Sequence, residues 1–165
     1  MRKFEVGEIV VYPAHGVARV EAIEEREISG HKASFLILKV LDSEMTVMVP
    51  LSNAGNVGIR ELVDDKAIDK IMGIISQREV QIDTQTWNRR YREYMDKIKS
   101  GSPYEIAEVL RDLGIIKRGK ELSFGERKMY DTAKNLLVNE ISIAKGKKKS
   151  DIEKMILEAA AGKDA

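Results

Sequence analysis

The segment Trp-Asn-Arg-Arg-Tyr-Arg at residues 87–92 combines the only tryptophan of the chain with three arginines. An indole flanked by guanidinium groups can wedge into a nucleic-acid groove while the cations hold phosphates, and it can equally begin the buried face of a helix. In a helical projection, Arg90 and Lys97 flank a stripe that begins at Trp87 and includes four further residues: Tyr91, Tyr94, Met95 and Ile98. The residue pattern alone leaves both interpretations open, because aromatic stripes at helical spacing are usually core.

Groups that could perform catalysis or bind a metal are sparse in this sequence. The two histidines, His15 and His31, lie beside glycines in predicted turns and do not belong to a spaced ligand set. There is no cysteine, and the sequence contains no phosphate-binding glycine loop and no Gly-x-Ser-x-Gly motif. We therefore expect a protein that is not an enzyme and that has neither a metal site nor a cofactor.

The composition is that of a soluble chain with some excess of charge. The 165 residues can form one ordinary domain or two small ones, and 33% of them are charged. The net charge is only +1, so any affinity for nucleic acid must come from local clusters. The lack of cysteine, of a signal-peptide pattern and of an apolar run of about 20 residues predicts a cytoplasmic protein without membrane contact.

The N-terminal part of the chain has the pattern of short strands separated by turn residues. Strands are predicted at 9–12, 16–28, 34–41 and 46–49, with 56–62 as an optional fifth. The loops between them are short, which favours a small, strongly bent antiparallel sheet or barrel. This half is slightly acidic, so it is better suited to binding protein than to binding DNA.

From about residue 62 the apolar period becomes helical. The first helix is predicted to begin after a cap at Asp64 or Asp65, and a polar loop is predicted at 77–85 before the tryptophan helix. Three later helices are predicted from Ser-x-x-Glu capping boxes: Ser102 with Glu105, Ser123 with Glu126, and Ser150 with Glu153. The predicted fold is α+β, with a β module joined near residues 61–64 to an all-helical bundle.

Two further basic clusters lie in the helical half. One comprises Lys117, Arg118 and Lys120 in the predicted turn after the third helix, where the helix dipole alone favours cations. The other is the lysine-rich run at 145–149, which suits salt-sensitive attraction to phosphates but carries no sequence readout.

Several segments resemble the CarD/CdnL family of bacterial transcription regulators. Residues 4–30 are similar to the family's N-terminal signature, which is shared with the transcription-repair coupling factor. The motif Trp-x-Arg-Arg-Tyr at 87–91 and the segments 107–113 and 122–141 are similar to the family's helical DNA-binding domain. The resemblance extends along nearly the whole chain, and the tryptophan helix and the chain length favour the regulator over the repair factor.

The resemblance implies a Tudor-like β domain at residues 1–62 that docks on the β-subunit lobe of RNA polymerase by strand addition. It also implies a helical DNA-binding domain at 63–165 that reaches promoter DNA near the −10 element, at the upstream edge of the bubble. There a tryptophan wedges into the minor groove and stabilises the open complex. In this chain the wedge would be Trp87, in a monomer with little base specificity.

The resemblance also implies which residues make these contacts. The expected DNA-binding residues are Trp87, Arg89, Arg90 and Arg92, to which the helical projection adds Tyr91 and Lys97. The expected polymerase-binding residues are Arg26 and, in the docking strand 46–49, Val47, Met48 and Val49. Position 48 departs from the family pattern, because close relatives are expected to have arginine there. Methionine keeps an adaptable apolar surface but loses the charge, which leaves the contact at this position open.

Two functions of other classes also remain open. A protein–protein scaffold would bury Trp87 in its core. A general nucleic-acid-binding adaptor would need stacking aromatics and cations on the β half, where Phe4, Tyr12 and Phe35 accompany an acidic strand region.

Overall fold

The structure is a computed structural model that describes residues 3–78 and 87–161. The chain divides into two compact units, Met1–Leu62 and Val63–Ala165. The loop predicted at 77–85 lies largely outside the described residues. Among the described residues, no helix is long and apolar enough to cross a membrane.

The N-terminal unit is a four-stranded antiparallel sheet in which the strands pair in chain order. The strands are β1 (Ile9–Tyr12), β2 (Gly16–Ile28), β3 (His31–Val40) and β4 (Thr46–Pro50). Tight turns join them, as the short predicted loops require. The prediction of an optional fifth strand at 56–62 is wrong, since the described residues of this segment form only a single bridge, from Arg60 to Val11.

Alternation along the strands gathers an apolar cluster on one face of this sheet. Val20, Leu38 and Val47 pair across β2, β3 and β4, and Leu36 pairs with Val49 in the next row on the same face. These side chains form an apolar cluster together with Val10, Ala18, Ala54 and Ile59. A β-bulge between Val20 and Ala22 interrupts the register of β2 and β3, and such bulges bend a sheet.

The C-terminal unit contains five helices in the described residues. They are α1 (Asp65–Ser76), α2 (Trp87–Lys99), α3 (Pro103–Gly119), α4 (Phe124–Lys145) and α5 (Lys149–Ala160). The central helix is α3, which contacts each of the other four. Its buried side chains include Leu110 and Leu113, which are completely enclosed in the helical core.

Local capping signals explain most of the helix starts. Asp64 accepts from the Ala67 amide and begins α1, and Ser102 accepts from the Glu105 amide at the start of α3, with proline at the first helical positions. Ser123 and Glu126 form a complete reciprocal capping box at α4.

The capping box predicted at Ser150 and Glu153 is wrong. Helix α5 begins at Lys149 and its N-cap residue is Lys148, so Ser150 lies within the first turn. The Glu153 carboxylate instead pairs with the Lys134 ammonium at 3.1 Å. A side-chain partner on α4 therefore takes the place of the local cap.

The α+β fold class, with a β module followed by a helical bundle, is confirmed.

Candidate functional site

Helix α2 is attached to the helical unit along a narrow strip. Tyr94 and Ile98 are its buried side chains among those described, and Met95 packs against the core from the side. Tyr91, which the helical projection placed in the same stripe, is exposed. The buried strip therefore covers only part of the predicted stripe. A wide apolar stripe does not by itself fix which edge faces the core.

The Tyr94 hydroxyl ties α2 to α3 inside a polar network. It lies 3.4 Å from Oδ2 of Asp112, whose other carboxylate oxygen accepts from Nε of Arg111 at 3.0 Å. Burial and the negative charge of Asp112 raise the pKa of Tyr94 to about 12, although the nearby Arg90 guanidinium opposes this shift. Arg111 also donates to Oε1 of Gln77, the C-cap residue of α1, at 2.7 Å.

Arg90 points toward the start of α4. Its Nη2 lies 3.6 Å from Oε2 of Glu126, with the arginine side chain 14% exposed and the glutamate side chain 3% exposed. The other carboxylate oxygen of Glu126 accepts from the Ser123 amide at 3.0 Å and lies 3.8 Å from the Lys120 ammonium. Burial would raise the pKa of Glu126, but the hydrogen bonds with Ser123 and the two cations hold it below its ordinary value.

Three of the six predicted DNA-binding residues are exposed on α2. Arg89, Tyr91 and Arg92 are exposed, whereas Lys97 is half-buried with its ammonium 3.9 Å from Oε1 of Glu108. Trp87 is the first residue of α2, and its side chain lies outside the described part of the structure. Among the predicted DNA-binding cations, Arg89 and Arg92 are therefore more available to a ligand than Arg90 or Lys97.

Phe124 is a surface aromatic that the sequence patterns did not single out. It is the first residue of α4 and is 85% exposed, the largest value among the exposed large hydrophobic residues described. Lys120 and Arg127, close to it along the chain, have side chains that are 61% and 60% exposed. The sequence pattern that could have revealed its exposure is its position directly after the capping Ser123, because the first residue of this helix lies outside the apolar stripe.

The basic cluster predicted after the third helix differs from its sequence interpretation in one detail. Lys117 and Arg118 belong to the last turn of α3 instead of following it. They line an open cleft of about 670 Å³ together with residues of the α3–α4 connection and α4. The Lys117 ammonium lies over the Tyr130 ring and Arg118 donates to the Ala160 carbonyl, so intramolecular partners already engage these cations.

On the β unit, the predicted polymerase-binding residues fall on opposite faces of the sheet. Met48 is exposed and pairs with Ile37, on the face away from the apolar cluster, while Val49 is buried and Val47 packs against that cluster. The side chains of Val47 and Val49 are therefore directed inward, which leaves mainly their backbone groups for an external partner. Since β4 ends the strand order in the described sheet, its outer backbone edge is open to such a partner.

Arg26 shares the outward sheet face with Met48. The register places Ala22 with Ile37 and Met48, Glu24 with Phe35 and Pro50, and Arg26 with Ala33 in successive rows on that face. The Arg26 guanidinium is exposed and lies 2.8 Å from the Glu24 carboxylate. The sequence analysis missed Ile37, which only the strand register reveals as a neighbour of Met48.

Within residues 3–78 and 87–161, no group of three or more histidine, cysteine, aspartate or glutamate side chains is placed to hold a metal ion. His15 stacks near Tyr12, with ring centroids 5.0 Å apart. The arrangement offers aromatic rings, cations and an open strand edge, which are groups that bind a partner and do not carry out bond chemistry.

Comparison with known proteins identifies the family. The family model of the CarD-like/TRCF RID domain matches residues 4–63, and that of the C-terminal domain of CarD matches residues 70–157. The Bacillus subtilis (strain 168) protein named "Putative transcription factor YdeB" is 39% identical over 143 residues, which make up 87% of this chain and 93% of that protein.

Two solved structures from Myxococcus xanthus are also similar. The N-terminal domain of CarD is 37% identical, with coverage of 36% of this chain and 79% of that chain and a TM-score of 0.31. The structure titled CdnLNt is 37% identical, with coverage of 39% of this chain and 92% of that chain and a TM-score of 0.34. The match to the RID domain shows that this chain contains an RNA-polymerase-interacting domain. Together with the match to the C-terminal domain and the Bacillus subtilis relative, it shows that this chain belongs to the CarD/CdnL family of transcription factors, a non-enzymatic family, as the resemblance predicted.

Proposed function

We propose that this protein docks on the β-subunit lobe of RNA polymerase and stabilises the promoter open complex through the first turn of α2. Residues 1–62 would be the polymerase-binding domain and residues 63–165 the DNA-binding domain. The observation that carries the proposal is the exposure of Arg89 and Arg92 directly behind Trp87, on a helix whose opposite side is packed on α3. Cations in this arrangement can hold phosphates on either side of a groove while leaving the bases unread.

The polymerase contact in this proposal is strand addition to β4. An open strand edge offers unpaired backbone groups that a strand of the partner can pair with, and side chains on alternate positions then set the fit. Pro50 ends β4 and limits how far such pairing can run. Met48 and Ile37 supply the adjacent apolar surface, with Arg26 at its margin.

The DNA contact in this proposal joins an aromatic wedge to phosphate binding. Unstacking one base step costs on the order of a few kcal/mol, and a wedge that meets DNA already opened by the polymerase saves part of that cost. Phe124 adds an 85% exposed aromatic ring to the helical unit, with Lys120 and Arg127 nearby in sequence. Because these groups respond to shape and charge, base specificity is low.

The mechanism is a shift of an equilibrium by differential binding. A protein that binds the open complex more tightly than the closed complex raises the population of the open complex by the ratio of the two affinities. No bond is made or broken. Placement on promoters comes from the polymerase, and the protein acts as a cytoplasmic monomer.

Permanganate reactivity of unpaired thymines tests this function directly. Adding the protein to its cognate polymerase on a promoter should increase the reactivity of thymines near the −10 element, because more complexes are open. The same DNA without polymerase should show no change. An unchanged thymine pattern in the presence of polymerase would contradict the proposed function.

A further inference from the structure

We propose that Arg90 and Glu126 form a positioning pair that holds the first half of α2 against the start of α4, and that Arg90 acts through this pair and not as a phosphate contact. The functional part of this inference rests on the proposed role of α2 in the open complex. The pair itself can be tested on the protein alone.

Burial distinguishes Arg90 from its neighbours. Its side chain is 14% exposed and faces a glutamate that is 3% exposed, whereas Arg89 and Arg92 are exposed. Among the described residues, Oε2 of Glu126 accepts no hydrogen bond. A buried carboxylate oxygen in that position needs a compensating charge, and the Arg90 guanidinium at 3.6 Å supplies it.

The capping box fixes where this carboxylate lies. Oε1 of Glu126 accepts from the Ser123 amide while the Ser123 hydroxyl accepts from the Glu126 amide, so both groups are held by the backbone of α4. Lys120 also lies near Oε1, but its side chain is far more exposed than that of Arg90. The carboxylate is thus a fixed point, and pairing with it fixes the position of Arg90.

The position of Arg90 on α2 gives the pair its effect. Arg90, Tyr94 and Ile98 follow one another at intervals of four residues and form a single strip on the helix. Tyr94 is the first buried side chain among those described on α2, and the Arg90 contact lies one turn closer to the helix start. Losing it should loosen the turn that begins at Trp87 while leaving the rest of α2 packed on α3.

The same pairing makes Arg90 a poor phosphate ligand. A phosphate approaching the guanidinium would compete with a buried carboxylate that has no other described partner for its Oε2 atom. Arg89 is exposed and pairs with no carboxylate among the described residues, which makes Arg89→Gln the matched control for loss of a phosphate contact.

Hydrogen exchange on the free protein tests the pair without polymerase. The variants are Arg90→Gln, Glu126→Gln and the double variant, and Gln at 126 keeps the capping box because it can still accept from the Ser123 amide. Each should raise the exchange of amides 91–94 by about tenfold, because the first turns of α2 open more often, with α5 as an unchanged reference. Unchanged exchange of amides 91–94 in Glu126→Gln would overturn the proposal.

Open-complex lifetime then separates positioning from phosphate binding. The positioning role predicts that Arg90→Gln and Glu126→Gln both shorten the lifetime by a similar factor, with no further loss in the double variant. A phosphate contact predicts the opposite sign for Glu126→Gln, since removing a negative charge favours DNA. It also predicts a salt slope reduced by about 0.9 in Arg90→Gln, as expected for Arg89→Gln.

The proposed function and the positioning role of Arg90 are contradicted by different results. If wild-type protein does not prolong the open complex, the proposed function is wrong, while the exchange measurement still decides whether the pair holds α2. If wild-type protein does prolong it and Glu126→Gln lengthens it further, Arg90 is a phosphate contact and the positioning role is overturned. Glu126→Gln removes the buried charge itself, so it remains informative even if Arg90→Gln fails to fold.

Discussion

Met48 lies directly opposite Ile37 in the register of β3 and β4, on the outward face of the sheet. This pair borders the open edge of β4, where the proposed polymerase contact is made. Met48→Glu should weaken binding to the polymerase β lobe by about 1–3 kcal/mol, because a carboxylate would be buried against an apolar partner without a hydrogen bond. The dissociation constant can be measured by calorimetry with the isolated lobe.

Met45→Glu is the matched control for this substitution. Met45 is 42% exposed and Met48 is 46% exposed, but Met45 precedes β4 and lies outside the strand. Its substitution should leave the affinity nearly unchanged. Equal losses from both variants would mean that added charge, and not the β4 surface, weakens the complex.

Phe124→Ser should shorten the lifetime of the open complex. The free energy of unfolding should stay within about 0.5 kcal/mol of wild type, because the folded protein buries little of the ring. Val6→Ser on the β unit changes another exposed apolar residue and should leave the lifetime unchanged. If Phe124→Ser lowers the unfolding free energy by several kcal/mol, the ring contributes to packing and its role as a DNA-facing aromatic is wrong.

The raised pKa of Tyr94 predicts a loss of stability at alkaline pH. The unfolded phenol ionises near pH 10, while the folded one stays neutral to about pH 12. Between these values the unfolded state binds fewer protons, so the stability present below pH 10 falls by up to about 1.4 kcal/mol per pH unit. Urea titrations in steps of ~1 pH unit between about pH 8 and 12 should show that the unfolding free energy falls less with pH for Tyr94→Phe than for wild type. The same dependence on pH in both proteins would contradict the burial of the Tyr94 hydroxyl.

The two serines of the Ser-x-x-Glu motifs at 123 and 150 should differ in their contribution to stability. Ser123→Ala removes the cap of α4 and should cost about 1 kcal/mol of unfolding free energy. Ser150→Ala lies inside α5 and should change stability by less than about 0.5 kcal/mol. Denaturant midpoints for the two variants decide this, and an equal cost at both positions would restore the predicted cap at Ser150.

The sequence predicted what depends on local chemistry. The strand alternation around β2 and β4, the Asp64 cap and the capping box at Ser123 all follow from contacts within a few residues, which a linear pattern records. The family resemblance depends on similar short motifs, and the domain matches confirmed it.

What the sequence did not predict depends on contacts between distant segments. Glu153 pairs with Lys134 of α4, so its spacing from Ser150 was misleading. Arg90 looked like one of three equivalent cations until its contact with Glu126 separated it from Arg89. The neighbours of Met48 similarly emerge only from the strand register, because Ile37 belongs to another strand.

The lifetime of promoter open complexes with purified cognate polymerase tests whether Trp87 acts as the proposed wedge. The decay of open complexes would be followed after addition of a competitor, in four parallel samples. One sample has no added protein, and the others have wild type, Trp87→Ala or Trp87→Phe, the last of which keeps a planar ring. The proposed wedge predicts a longer lifetime with wild type, most of the gain lost in Trp87→Ala, and part of it retained in Trp87→Phe, with all variants folded by circular dichroism. A Trp87→Ala variant that remains folded and prolongs the lifetime as much as wild type would contradict the role of Trp87.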